Sequence, residues 1–174
     1  GSTANGAVSI GGNAGTVGDL FVGSVISSNP AQVGSQATGS FHVLNGGNLT
    51  LANGGVLNIG TTGGIYRNGT AFNTASGTVT IDGTLTVSGN AGLAIGQTNG
   101  GVASGALSIG TLAMGANQFG FLSIGTAANN GQATGSLSIG GCDLRTSFVA
   151  VGTANGRSTA QGTVTLGGTG ALLG

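Results

Sequence analysis

Charge is what this chain lacks most. Among 174 residues only Arg67, Arg145, Arg157, Asp19, Asp82 and Asp143 are charged, with no Lys and no Glu. That is 3% of the chain, where an ordinary globular domain carries about 25%. The net charge is zero and no basic cluster exists, which excludes the electrostatic footprint of a nucleic-acid binder. With aromatics at 4%, an extended aromatic-basic groove is excluded too. The single cysteine, Cys142, rules out an intramolecular disulfide and any zinc or iron–sulfur site built from thiolates. No stretch of 18 apolar residues occurs, so no helix is expected to span a bilayer. No cofactor is expected.

Low charge does not mean disorder here. Disordered segments combine high charge with low hydrophobicity, whereas this chain is 39% hydrophobic, and those residues recur periodically. The clearest period is the phrase Gly135-Ser-Leu-Ser-Ile-Gly140, which recurs as Gly105-Ala-Leu-Ser-Ile-Gly110, Gly77-Thr-Val-Thr-Ile-Asp82 and Gly162-Thr-Val-Thr-Leu-Gly167. Fainter copies are Gly6-Ala-Val-Ser-Ile-Gly11 and Gly39-Ser-Phe-His-Val-Leu44. An apolar-polar-apolar triplet bounded by glycine is a short β-strand with one buried face.

The leading glycines are spaced by 39−6=33, 77−39=38, 105−77=28, 135−105=30 and 162−135=27 residues. A second marker follows in each unit: Leu20 to Gly23, Leu57 to Gly60, Leu93 to Gly96, Leu122 to Gly125 and Val149 to Gly152. Between the two stand weaker apolar pairs, Leu49/Leu51, Leu85/Val87 and Leu112/Met114, with Leu144 alone in the fifth unit. No unit can bury its own pairs, but stacked units place each pair over its equivalent. The spacing therefore predicts an all-β, right-handed parallel β-helix (β-solenoid) of about six coils of roughly 27–38 residues, three short strands per coil. Two inward columns are predicted: Val8, Phe41, Val79, Leu107, Leu137, Val164 and Ile10, Val43, Ile81, Ile109, Ile139, Leu166. Glycines at the strand ends are expected to form corners. Length variation falls between Gly23 and Gly39 (with Pro30) and between Gly60 and Gly77, so insertions are expected at one corner. No composition break divides the chain, so residues 1–174 are expected to form one domain, a segment of a longer chain or a subunit of a fibre.

The stretch Gly46-Gly-Asn-Leu-Thr-Leu-Ala-Asn-Gly-Gly-Val-Leu-Asn-Ile-Gly60, with Gly-Gly corners alternating with Leu-x-Leu strands, resembles the repeats of autotransporter-associated β-strands. The whole chain is similar in this way to the passenger β-helix of bacterial autotransporters and related Gly-rich adhesins. Ala94-Ile-Gly-Gln and Ala103-Ser-Gly echo trimeric adhesin heads more faintly. The resemblance implies a secreted or surface-displayed rod, extracellular or on a bacterial cell surface, whose partners are other copies of itself or a host or neighbouring cell surface.

Catalytic chemistry finds little support in the pattern. The aspartates occupy different places in their units, so they are not expected to stack into a calcium site or an acid/base pair. His42 stands in the outward slot that Ser or Thr fills elsewhere, and its spacing suggests no partner for a Ser-His-Asp triad. Asp143 and Arg145 read as a weak surface pair across Leu144, and Cys142 as a small buried residue. Asn48-Leu-Thr50 and Asn68-Gly-Thr70 match the glycosylation acceptor pattern, as a chain rich in Asn and Thr would by chance. No catalytic, cofactor-binding or metal-binding residue is assigned. One surface feature stands out: a ladder of small side chains, Ser9, Thr80, Ser108, Ser138 and Thr165 on the first strands, with Ala94, Ser123 and Ala150 expected as a flat outer face on the second. It could pack one rod against another or order water.

The sequence thus predicts a non-enzymatic structural solenoid, adhesin-like and capable of assembling into filaments by end-to-end or lateral stacking. A solenoid binding ice or another ligand through its flat face is the second expectation, and a carbohydrate-active β-helix enzyme the third.

Overall fold

A computed structural model of the chain describes residues 2–25, 34–63, 73–142, 144–167 and 172–173. The first coil contributes β1 (Thr3–Gly11), β2 (Gly15–Val17) and β3 (Leu20–Val22), and the second β4 (Gln36–Leu44), β5 (Leu49–Leu51) and β6 (Val56–Ile59). In the third and fourth coils the first and middle strands run together, giving β7 (Thr74–Val87), β8 (Asn90–Asn99), β9 (Val102–Ala113) and β10 (Gln118–Ala128). The fifth has β11 (Gln132–Cys142), β12 (Leu144–Arg145) and β13 (Val149–Val151). β14 (Thr159–Leu166) and β15 (Leu172–Leu173) begin a sixth, so the stack holds five complete coils and a fraction of another. The described residues include no helix, and hence none long and apolar enough to cross a membrane.

All strand pairs among the described residues are parallel. One sheet runs β1-β4-β7-β9-β11-β14, with β2 and β5 along its side; a second runs β13-β10-β8-β6-β3; β12 and β15 form a third. The register aligns Val8, Phe41, Val79, Leu107, Leu137 and Val164, and two residues on Ile10, Val43, Ile81, Ile109, Ile139 and Leu166, as the phrase predicts. Leu20, Leu57, Leu93, Leu122 and Val149 align on the second sheet. The weak middle pairs align as well: Leu49 with Leu85, and Leu85 with Leu112. These columns close one continuous apolar core in which Val79, Ile81, Leu93, Ile95 and Ile124 are fully buried.

Two features depart from the sequence expectation. The first strands are longer than a triplet: β4 begins three residues before Gly39 and β7 three before Gly77. The leading glycines therefore sit inside strands, on the inward face, and are not corners. Their role is close approach. A Cβ on Gly105 would stand 2.3 Å from the Ile59 carbonyl oxygen and 2.5 Å from the Gly96 amide nitrogen, so the two sheets touch backbone to backbone along a glycine seam. The seam divides the interior, with the large aliphatic core on one side and a narrower compartment beyond it, where Val25, Ala37 and Ala75 cluster.

Other glycines do form corners, as expected of strand ends. The glycine closing each second marker bends the chain in the left-handed region, at φ 58 for Gly23, Gly60 and Gly96, 59 for Gly125 and 61 for Gly152, where a Cβ would cost strain. Elsewhere asparagines tie coil to coil. Asn13 Oδ1 accepts from the Asn48 amide and Asn48 Oδ1 from the Thr84 amide, both at 3.0 Å, and Asn53 Oδ1 accepts from the Asn90 amide at 2.9 Å. The segment holding Pro30 and most of that between Gly60 and Gly77 lie outside the described residues, and with them the expected insertion corner.

Candidate functional site

The outer surface of the first sheet is a field of small polar side chains. Ser9, His42, Thr80, Ser108, Ser138 and Thr165 follow one another in register. Two residues toward the strand starts, a parallel column reads Ala7, Ser40, Thr78, Ala106, Ser136 and Thr163. Because inward and outward residues alternate along a strand, both columns face out. Ser9, Ser108, Ser138 and Thr165 are exposed and Thr80 half-buried. The structure thus brings the five hydroxyl residues of the first-strand ladder into one line.

His42 interrupts that line with a contact the spacing did not suggest. Its Nε2 lies 3.0 Å from Asp82 Oδ1, with 38% and 39% of the two side chains exposed. Since His42 pairs with Thr80, Asp82 is its diagonal neighbour two residues further on the next rung. The expectation that His42 lacks a carboxylate partner is corrected. The other described aspartate, Asp19, accepts from the Val56 amide at 2.9 Å and closes a corner. Asp143 and Asn68 lie outside the described residues. Cys142 is half-buried and packs against the core, in register with Leu112. Among the described residues no group of three or more His, Cys, Asp or Glu could hold a metal ion.

The outer face expected on the second strands is also corrected. Ala94, Ser123 and Ala150 do stand in register, but Ala94 is 1% and Ser123 7% exposed, so they form no flat open face. The cause is the left-handed bend that follows them. At Gly125 the chain turns back so that the Thr126 and Ser123 hydroxyls meet at 2.8 Å, closing the angle over Ser123. Gly96 repeats the bend after Ala94.

Repeated coil after coil, the bend produces a groove running along the rod. Its first segment, ≈ 310 Å³, lies among Phe21, Asn58, Thr61 and Gln97. A second of ≈ 420 Å³ shares Gln97 and Asn99 with the first and extends to Thr126, Thr153 and Asn155. A third of ≈ 410 Å³ shares Asn155 and ends at Asn130 and Arg157. Comparison with known proteins finds no matching family model, no matching curated protein and no matching solved structure.

Proposed function

We propose that this chain is a non-enzymatic, extracellular structural solenoid of a secreted or surface-displayed bacterial protein, adhesin-like and able to assemble with copies of itself. The observation that carries this reading is the in-register stacking of the repeated phrase through the first sheet, six strands deep, whose outer face is built from small, almost uncharged side chains. Such a face permits close lateral approach, and a net charge of zero supplies no repulsion between copies. Negative-stain microscopy and sedimentation across a concentration series test the reading. Filaments or bundles that lengthen with concentration are expected; discrete single rods at the highest concentration overturn the assembly.

The aligned hydroxyl columns favour a second reading, in which the first sheet orders water and binds ice. Thermal hysteresis in dilute solution would support it, and freezing that follows only colligative depression removes it.

A further inference from the structure

We propose that the axial groove is a binding site for an extended, uncharged polysaccharide lying parallel to the rod axis. Three observations point to the ligand class.

The first is shape. The segments share Gln97, Asn99 and Asn155, so they form one trough and not separate dimples. From the rung of Phe21 to that of Ala150 it crosses four strand spacings, about 19 Å, room for about four sugar rings laid end to end. An open trough that continues from coil to coil suits a polymer better than a compact metabolite.

The second is chemistry. The side chains offered are neutral amides and hydroxyls, chiefly Asn58, Gln97, Thr153 and Asn155. An amide presents a donor and an acceptor side by side, the complement of a sugar's neighbouring hydroxyls. The side-chain amides of Asn58, Gln97 and Asn155 make no hydrogen bond to another described residue, so they face the trough unpaired. Among the described residues no carboxylate lines the trough, and the one cation they place there, Arg157, stands at the far end. A polyanion would meet neutral amides for most of its length, with nothing to offset its desolvation. At the opposite end Phe21 exposes nearly half its surface, an apolar ring suited to the C–H face of a pyranose.

The third is what the groove withholds. An extended peptide gains affinity by adding its backbone to an open strand edge. Here the backbone amides and carbonyls of β6, β8 and β10 are consumed in the parallel ladder. Side chains therefore supply most of what the groove offers, which favours a chain recognised through hydroxyls.

This inference does not depend on self-assembly, and its test reads a different quantity. Affinity electrophoresis of the 174-residue chain would use soluble starch, β-glucan, galactomannan and dextran as neutral probes, with alginate and heparin as charged ones. Retardation by at least one neutral polymer is expected, unchanged between low and high salt because no ion pair is involved. Calorimetry with oligosaccharides of the retained polymer should show affinity rising with length up to about the trough's span. Phe21→Ala and the double change Asn58→Ala/Gln97→Ala should each weaken binding by tenfold or more. All are exposed or half-exposed, so circular dichroism and melting should match the parent chain. Ser108→Ala and Ser138→Ala, on the opposite sheet, should bind as the parent does. The proposal is overturned if no neutral polymer retards the chain, if retention is confined to the charged polymers, or if groove variants with parental melting bind undiminished.

Discussion

Gly77 and Gly60 meet across the interior with no side chain between them: a Cβ on Gly77 would lie 2.6 Å from the Gly60 amide nitrogen and 2.2 Å from the Val22 carbonyl oxygen. Both obstacles are backbone, so neither can swing aside. Gly77→Ala should therefore destabilise the fold by about 3 kcal/mol or more, the range reserved for overpacking with no relief. Gly6 occupies the same place in the first coil, yet nothing lies within 4 Å of its would-be Cβ. Gly6→Ala should change stability by less than about 0.5 kcal/mol. Urea melts of the pair check this, and equal destabilisation would remove the seam as an explanation for the leading glycines.

Leu107 and Leu137 sit on adjacent rungs and both are buried. Truncating either to Ala should cost about 2–5 kcal/mol, because a closely stacked column relaxes only partly around a hole. Since the two cavities share a wall, the double variant should depart from the sum of the singles by more than about 0.5 kcal/mol. Chemical denaturation of the four chains of the cycle measures it.

The asparagine ladder makes a gentler prediction. Asn48 Oδ1 accepts from Thr84 at an exposed corner, where water can replace the lost oxygen. Asn48→Ala should cost about 1 kcal/mol, the net worth of one such bond. Its local effect should be larger: hydrogen exchange at the Thr84 amide should quicken while amides in the middle of β9 stay protected.

His42→Ser would give the first-strand ladder a small hydroxyl residue at its one interruption. The His42–Asp82 contact is more than a third exposed on both sides, and surface pairs of this kind contribute about 0–1 kcal/mol. Melting should move by no more than that. A loss of several kcal/mol would mean that the pair holds its two coils together.

Much of this architecture was legible because stacking is a rule about equivalence. Leu107 and Leu137 occupy the same slot of the same phrase, so their superposition follows once units are assumed to pile up. Contacts between unlike slots were not legible. His42 stands fourth in its phrase and Asp82 sixth, and their meeting needs the diagonal reach of two side chains across neighbouring rungs. The glycine seam was hidden for a similar reason: sequence shows that Gly77 recurs, but not that Gly60, from another marker, lies opposite it. The misplacement of Ala94 and Ser123 has a local cause. Period-two alternation correctly put them outside the strand, but a glycine that bends left two residues later is indistinguishable, in letters, from one that merely ends a strand.

The parallel ladder also sets how such a rod would bear load. Its inter-strand hydrogen bonds lie along the stacking axis, so tension applied between the first and last rungs pulls each rung directly from its neighbour instead of shearing many bonds at once. Rungs should peel away in succession from an end. With 27 to 38 residues between equivalent glycines, each would release roughly 100 Å of slack chain, making the molecule an extensible tether that yields in steps while the remaining coils stay wound.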